Sequence, residues 1–238
     1  MTLRLHVELA LNEGLRLSLP EAAARHAQVR RVQPGDALRL FDGHGREHVA
    51  VVLAMGRKDV EVAIGAAVPA LPEPATAVTL ALGVPANERM DTLVEKATEL
   101  GAAAFQPLEC ERSVLRLHGE RAQRRREHWQ AVAAGASEQC GRAVVPPVAL
   151  PAPLGSWLAQ VRAPQRLLLS LAADAVPWPR CSVGPGEVAV LSGPEGGLSP
   201  PEEAAARAAG FQPVSLGPRV LRADTAPLAL LAALSLRG

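Results

Sequence analysis

The sequence predicts an α/β protein preceded by a small β-rich domain. Three observations carry that prediction. Within residues 187–236 two short apolar runs, Val188–Leu191 and Val214–Leu216, each lead into a glycine-containing turn and then a helical pattern. Such strand–loop–helix passages set their loops along the carboxyl edge of a sheet, where α/β proteins bind ligands. Residues 1–72, by contrast, hold short alternating or β-branched runs separated by turn signals. Between the two lies Pro-Ala-Leu-Pro-Glu-Pro-Ala at 69–75, where three prolines suit neither a helix nor a central strand. The expected domains are therefore 1–72 and 73–238.

In the first domain Leu15–Leu19 and Leu38–Phe41 alternate, while His48–Leu53 and Val60–Ile64 are rich in β-branched residues. Turns at Pro34-Gly35-Asp36, Asp42–Gly45 and Gly56-Arg57-Lys58 separate them, and a helix is expected over Pro20–Arg30. His26, Arg30 and Arg31 either finish a solvated helix end or form a small RNA-contacting surface, to which Arg4 would add.

Past the linker, Ala77–Gly83 reads as a buried strand. Asn87 can cap a helix whose apolar residues Met90, Leu93, Val94, Ala97 and Leu100 follow helical spacing, with Gly101 as its stop. On its other face Lys96 and Glu99 are spaced for an ion pair. A strand over Ala103–Leu108 leads to Cys110-Glu111-Arg112-Ser113. The long helix expected over Glu120–Cys140 gathers Trp129, Val132, Ala133, Ala136 and Cys140 on one face. Residues 112–142 carry seven Arg against three Glu, either a solvated face or a phosphate-contacting one. Residues 151–164 are proline-rich and helical in part, Arg166–Leu171 is a further buried strand, and 172–186 form a loop.

Val188–Leu191 then runs into Ser192-Gly-Pro-Glu-Gly-Gly197, whose glycines let a ligand approach the main chain. Ser199, Pro200 and Glu202 make a capping box with proline at the first helical position, and Gly210 closes that helix. Val214–Leu216 leads to the turn Gly217-Pro218-Arg219, and Pro227–Leu236 is a helix apolar nearly all round, hence buried or covered by a partner.

Composition narrows the function classes. At net charge +1 the chain has no global field for nucleic acid, so any basic patch is local. Arg supplies 23 of 25 basic residues, a bias that suits phosphate recognition and that a GC-rich genome also produces. Three cysteines without metal or redox spacing argue against a disulfide framework, and six scattered histidines make no metal pair. Neither a signal peptide nor a membrane-spanning apolar run is evident, so a soluble, cytoplasmic protein without metal or membrane contact is expected. A P-loop, a dinucleotide fingerprint and a Gly-x-Ser-x-Gly elbow are all absent. What remains is a backbone-lined pocket with few charges beside an Arg-rich segment, which suits a neutral or cationic nucleoside-type cofactor.

Four blocks together, Leu191-Ser-Gly-Pro-Glu-Gly-Gly-Leu-Ser, Leu216-Gly-Pro-Arg-Val-Leu-Arg-Ala-Asp-Thr-Ala, Lys96-Ala-Thr-Glu-Leu-Gly and Glu138-Gln-Cys-Gly-Arg142, resemble the RsmE family. These are bacterial ribosomal RNA uridine-N3 methyltransferases of the SPOUT superfamily. Glu111-Arg112-Ser113 and His26–Asp36 extend the likeness over nearly the whole chain, while Asp224 stands where the family usually has Glu. The resemblance implies a PUA-like β-barrel for RNA binding, then an α/β methyltransferase domain ending in a trefoil knot. It implies S-adenosyl-L-methionine as cofactor, 16S ribosomal RNA of the small subunit as substrate, and a homodimer.

On that resemblance Leu171, Leu191, Gly193, Glu195, Gly196 and Leu216 would line the cofactor pocket, joined by Gly217, Leu221, Arg222, Thr225 and Ala226. Uracil N3 is a poor nucleophile while protonated, so a group must take its proton or stabilise charge spreading onto the flanking carbonyls. Arg222, with Arg142 or Arg112 reaching in, suits the second task, and Glu195 and Glu138 the first. RNA contacts would come from Arg4, His26, Arg30, Arg31, Arg112, Arg124 and Arg125. The alternatives are a ribose 2′-O-methyltransferase of the same superfamily, whose Asn-x-Gly…Arg and Ser-Leu-Asn motifs do not occur, a non-catalytic RNA-binding assembly factor, and a small-molecule α/β enzyme.

Overall fold

The computed structural model describes residues 2–57, 59–85 and 89–235, so the expected Asn87 cap, Lys58 and Leu236 lie outside it. The chain forms two compact units, one of residues 1–73 with 134–145, the other of 74–133 with 146–238.

The first unit begins with β1 (Leu3–His6), β2 (Arg16–Ser18), α1 (Glu21–Val29), β3 (Ala37–Phe41), β4 (Glu47–Met55) and β5 (Val60–Val68). They form a five-stranded sheet in the order β1-β3-β4-β5-β2. Only the β1–β3 pair is parallel. Period-two alternation sends Leu5, Leu38, Leu40, Ala50, Val52, Val60, Val62 and Ile64 into one core, closed by Ala23, Ala24 and Ala27 of α1. The strand β1 was not expected. Its Leu-Arg-Leu-His pattern alternates, but four residues stand as a strand only because β3 pairs along all of them. Residues 134–145 were also unexpected here: Val145 N donates to Gly43 O and Gly45 N to Ala143 O, tying that segment to the β3–β4 turn.

In the second unit the order is β6 (Thr76–Gly83), α2 (Arg89–Glu99), β7 (Ala104–Glu109), α3 (Gly119–Cys140, whose last turns belong to the first unit), β8 (Ala152–Pro153), α4 (Leu154–Leu158), β9 (Gln165–Leu169), β10 (Val176–Pro177), β11 (Gly186–Ser192), α5 (Pro200–Ala208), β12 (Gln212–Ser215) and α6 (Thr225–Ser235). The strands make one seven-stranded sheet, β10-β12-β9-β11-β6-β7-β8, and every neighbouring pair is parallel. A parallel sheet needs cover on both faces. Ala81, Leu168, Ala189 and Leu191 face α4 and α5 through Leu154, Leu158 and Ala206. The alternate residues of the central strands, Leu80, Leu82, Val188 and Val190, are buried on the opposite face, where α6 packs against α2, β6 and β11. The expected Lys96–Glu99 pair forms at 2.8 Å, and Glu95 joins it at 2.7 Å.

Candidate functional site

The carboxyl ends of β9, β11 and β12 converge on a cavity of about 400 Å³. Its floor is the loop Ser192–Leu198, its walls Leu168–Ala172 after β9 and the segment from Val214 to Ala226 after β12. This is the crevice that the doubly wound rule predicts, because loops at that edge leave main-chain amides unpaired by the sheet. The floor is tightly folded. A Cβ on Gly193 would lie 2.8 Å from Leu198 N, a separation no side chain tolerates, so the loop doubles back on itself only with glycine there. Glu202 accepts from Ser199 N at 2.9 Å, the return arm of the capping box, and fixes where the loop enters α5.

Charges around the cavity are few and mostly paired. Glu203 accepts from Ser170 Oγ at 2.9 Å and from Arg207 at 2.9 Å. Arg207 in turn grips Asp174 with two hydrogen bonds, of 2.6 and 2.9 Å. That grip holds the Asp174 carboxyl below its ordinary range, while slight desolvation works against it. Glu195 pairs with Arg89 at 3.3 Å. Arg112 donates to Gly196 O at 2.9 Å and to Leu198 O at 3.3 Å. Burial pushes the thiol of Cys110 up to about 12, so it stays protonated at neutral pH. Among the described residues no group of three His, Cys, Asp or Glu is placed to hold a metal, and no helix is long and apolar enough to cross a membrane.

Of the residues expected at a cofactor pocket, Leu171, Gly193, Glu195, Gly196, Leu216, Gly217, Leu221 and Ala226 line this cavity. Leu191 is buried in the sheet just beneath the loop it leads into. The Arg222 carbonyl accepts from Thr225 N and Ala226 N, so Arg222 and Thr225 shape the entry to α6, and the Arg222 side chain is exposed. Sequence reasoning missed Ser170, Ala172, Glu203, Arg219 and Val220. The signal for Ser170 and Ala172 was their position directly after a buried strand; Glu203, on a helix with ordinary capping chemistry, gave none.

The remaining expected residues fall elsewhere. Arg4 binds the buried Glu47 at 2.8 and 3.2 Å, donates to the carbonyls of Ser137, Glu138 and Arg142, and lies 4.6 Å over the Phe41 ring. Glu138 accepts from His6 N at 2.8 Å and stands 3.1 Å from His26 Nδ1. Arg142 is buried and pairs with Glu73. These three belong to the first unit, where their polar atoms stitch residues 134–145 to the sheet. Arg30 and Arg31 are exposed at the end of α1. On α3, Arg124 pairs with Glu120 at 2.8 Å, while Arg125 is exposed with no side-chain partner among the described residues.

A parallel sheet with a crevice at its carboxyl edge is the architecture of an α/β protein that binds a small ligand there. Residues 72–235 match the RNA methyltransferase domain family, and residues 19–65 the RNA methyltransferase PUA domain. The chain is 38% identical over 213 residues to the ribosomal RNA small subunit methyltransferase E of Synechocystis, covering 86% of this chain and 67% of that protein. With the protein of the same name from Mycobacterium tuberculosis it shares 34% over 224 residues, covering 87% and 80%. Among solved structures, the Neisseria gonorrhoeae enzyme of that name, bound to S-adenosyl methionine, superposes with a TM-score of 0.95 at 35% identity, covering 100% of this chain and 98% of that one. A Legionella pneumophila methyltransferase with bound SAM gives a TM-score of 0.96 at 33% identity, with the same coverage. The chain belongs to the ribosomal RNA small subunit methyltransferase E, or RsmE, family of RNA methyltransferases.

Proposed function

We propose that this protein transfers a methyl group from S-adenosyl-L-methionine to N3 of a uridine in 16S ribosomal RNA. One observation carries the reading: the crevice at the ends of β9, β11 and β12 is lined largely by glycine and apolar residues, with few charged groups on its walls. Its volume of about 400 Å³ is within the ordinary range for small-molecule sites. The residues present fit the cofactor: Gly193, Gly196, Leu216 and Gly217 would hold its nucleoside part through backbone, with Leu171 and Leu221 supplying apolar contact.

The cofactor, when bound, supplies a methyl group on a sulfonium, ready for in-line displacement. The chain's own residues do the rest. An extruded uracil has to reach the crevice with N3 toward its interior, since the base cannot be attacked within a stack. Arg222, exposed beside the crevice, donates to a uracil carbonyl as negative charge spreads onto it. Glu195, on the crevice floor with Arg89 fixing its carboxylate, accepts the N3 proton. Arg142 and Glu138 do not line the crevice and are held by Glu73, His6 and His26, and Arg112 is spent on the Gly196 and Leu198 carbonyls, so the proposed roles narrow to Arg222 and Glu195.

The same reading places the protein in the cytoplasm, where ribosomal RNA is found, and includes a threaded carboxy-terminal segment and a homodimer. Supporting the homodimer, α6 buries Leu230, Leu231 and Leu234 yet leaves the apolar Ala229 exposed and open to a partner. The test is mass-spectrometric mapping of methylated nucleosides after incubation with small ribosomal subunits and the methyl donor. The expected product is 3-methyluridine. A 2′-O-methylated nucleoside would replace this reading with ribose methylation, and no incorporation would leave an RNA-binding assembly factor.

A further inference from the structure

The motif Glu111-Arg112-Ser113 stood out in the sequence, yet the proposed chemistry leaves it without a role. It lies just after β7, in a tight turn: Cys110 N donates to Ser113 Oγ at 3.1 Å, and Ser113 N returns a bond to Cys110 O at 3.1 Å. That turn is fastened to the crevice floor at two levels. Glu111 N donates to Glu202 Oε1 at 2.7 Å, the same carboxylate whose other oxygen takes Ser199 N. Arg112 extends over the loop and donates to the carbonyls of Gly196 and Leu198. Its stem lies so close that a Cβ on Gly196 would sit 3.2 Å from Arg112 Cβ.

We infer that Arg112 is a positioning residue for the methyl-donor loop, acting through the Gly196 and Leu198 carbonyls rather than on RNA. A glycine-rich loop is costly to order, because glycine loses more conformational freedom than any other residue. A guanidinium that takes the carbonyls on either side of Gly197 holds the loop in one shape, and the amides of the same two peptides are held as well, Gly197 N by Pro194 O at 2.8 Å and Ser199 N by Glu202 at 2.9 Å. Both bonds come from Nη1 of a rigid planar guanidinium, which loses less side-chain freedom per bond than a lysine ammonium would. Glu111 and Ser113 complete the device by setting the turn from which Arg112 projects.

The inference rests on the S-adenosylmethionine reading of the crevice, and the experiment separates the two. Arg112→Met keeps the stem and removes the guanidinium. In the cofactor-free full-length protein, amide exchange across residues 193–198 should speed up at least tenfold, while α5 and β11 keep wild-type protection. Calorimetric Kd for S-adenosylmethionine should rise roughly tenfold, the scale of a charge-assisted hydrogen bond. KM for the cofactor should rise with kcat at saturation retained, and RNA affinity should stay at the wild-type value. Arg112→Lys should recover part of the exchange protection, and it also serves if the methionine variant does not fold. Unchanged exchange and unchanged cofactor affinity in a folded variant would overturn the inference, as would lowered RNA affinity with cofactor affinity intact. A wild-type protein that fails to bind S-adenosylmethionine would instead remove the reading underneath it.

Discussion

Gly83 at the end of β6 lies against Pro194 so closely that a Cβ on it would sit 2.5 Å from both the Cδ and the nitrogen of that proline. A proline ring cannot swing aside, so the contact fixes the height of the crevice floor over the sheet. Gly83→Ala should lift the loop, weaken calorimetric cofactor affinity at least tenfold and cost about 1–3 kcal/mol of stability in urea denaturation, as overpacking does. Wild-type affinity in that variant would mean that the floor adapts freely.

For Gly196→Val the new side chain enters the space of the Arg112 stem, at 3.2 Å from its Cβ and 3.4 Å from its Cδ. Cofactor binding should be lost, because the side chain stands on the loop that lines the crevice and also pushes Arg112 off the carbonyls it holds. Titration calorimetry reads the outcome directly, and unaltered affinity would take this loop out of the pocket.

Arg4→Ala removes both hydrogen bonds that Glu47, only 4% exposed, accepts from Arg4, along with the donor that satisfies three carbonyls around the end of α3, and leaves Glu47 only the longer ion pair with Arg39 at 3.5 Å. Stripping a buried carboxylate of its main partner costs up to about 3–5 kcal/mol, and the urea midpoint should fall accordingly. A drop below about 1 kcal/mol would show that water reaches Glu47 as readily as Arg4 does.

On α3 the pairing of Arg124 with Glu120, and the bond from Arg126 to Val148 O at 3.0 Å, leave Arg121 and Arg125 as exposed guanidiniums without side-chain partners among the described residues. Arg121→Glu combined with Arg125→Glu should weaken RNA binding and lower the salt slope by about 2, with cofactor affinity retained. Arg124→Glu alone should do less. Equal RNA affinity for wild type and double variant at low salt would make this a merely solvated face.

Burial lowers the pKa of His6 below its ordinary 6.5, with Glu8, Glu138 and the Asp42 backbone pulling the other way and His44 adding to the lowering. The unfolded chain therefore takes up this proton first as pH falls. Stability should decline from about pH 6.5 down to the folded-state pKa and level off below it. His6→Gln should lack that component, so the difference between the two unfolding free energies should vary with pH across this window. A constant difference would show that His6 does not titrate differently on folding.

Much of this molecule could be read from the chain. Apart from the two-residue strands β8 and β10, which fall in segments expected to be partly helical and loop, the order of strands and helices from Ala77 to Ser235, the glycine loop between β11 and α5, and the helix packed with apolar residues follow from local patterning, because periodicity and turn chemistry are local properties. So does the glycine lining of the crevice, since a loop that must approach a ligand closely declares itself by composition.

Other features required the fold. No pattern in Gly119–Cys140 announces that its last turns pack with the first unit, where Arg4 and His6 bind the carbonyls and carboxylate that end α3. Nothing local separates an arginine that holds a loop from one that faces solvent, yet Arg112 reaches Gly196 across 84 residues while Arg125 has no side-chain partner among the described residues. The sequence alone determined the elements and the kind of crevice they make. Which charged side chains serve the crevice and which serve the scaffold was decided by tertiary structure, because the worth of a charge depends on the partners and dielectric that distant segments bring to it.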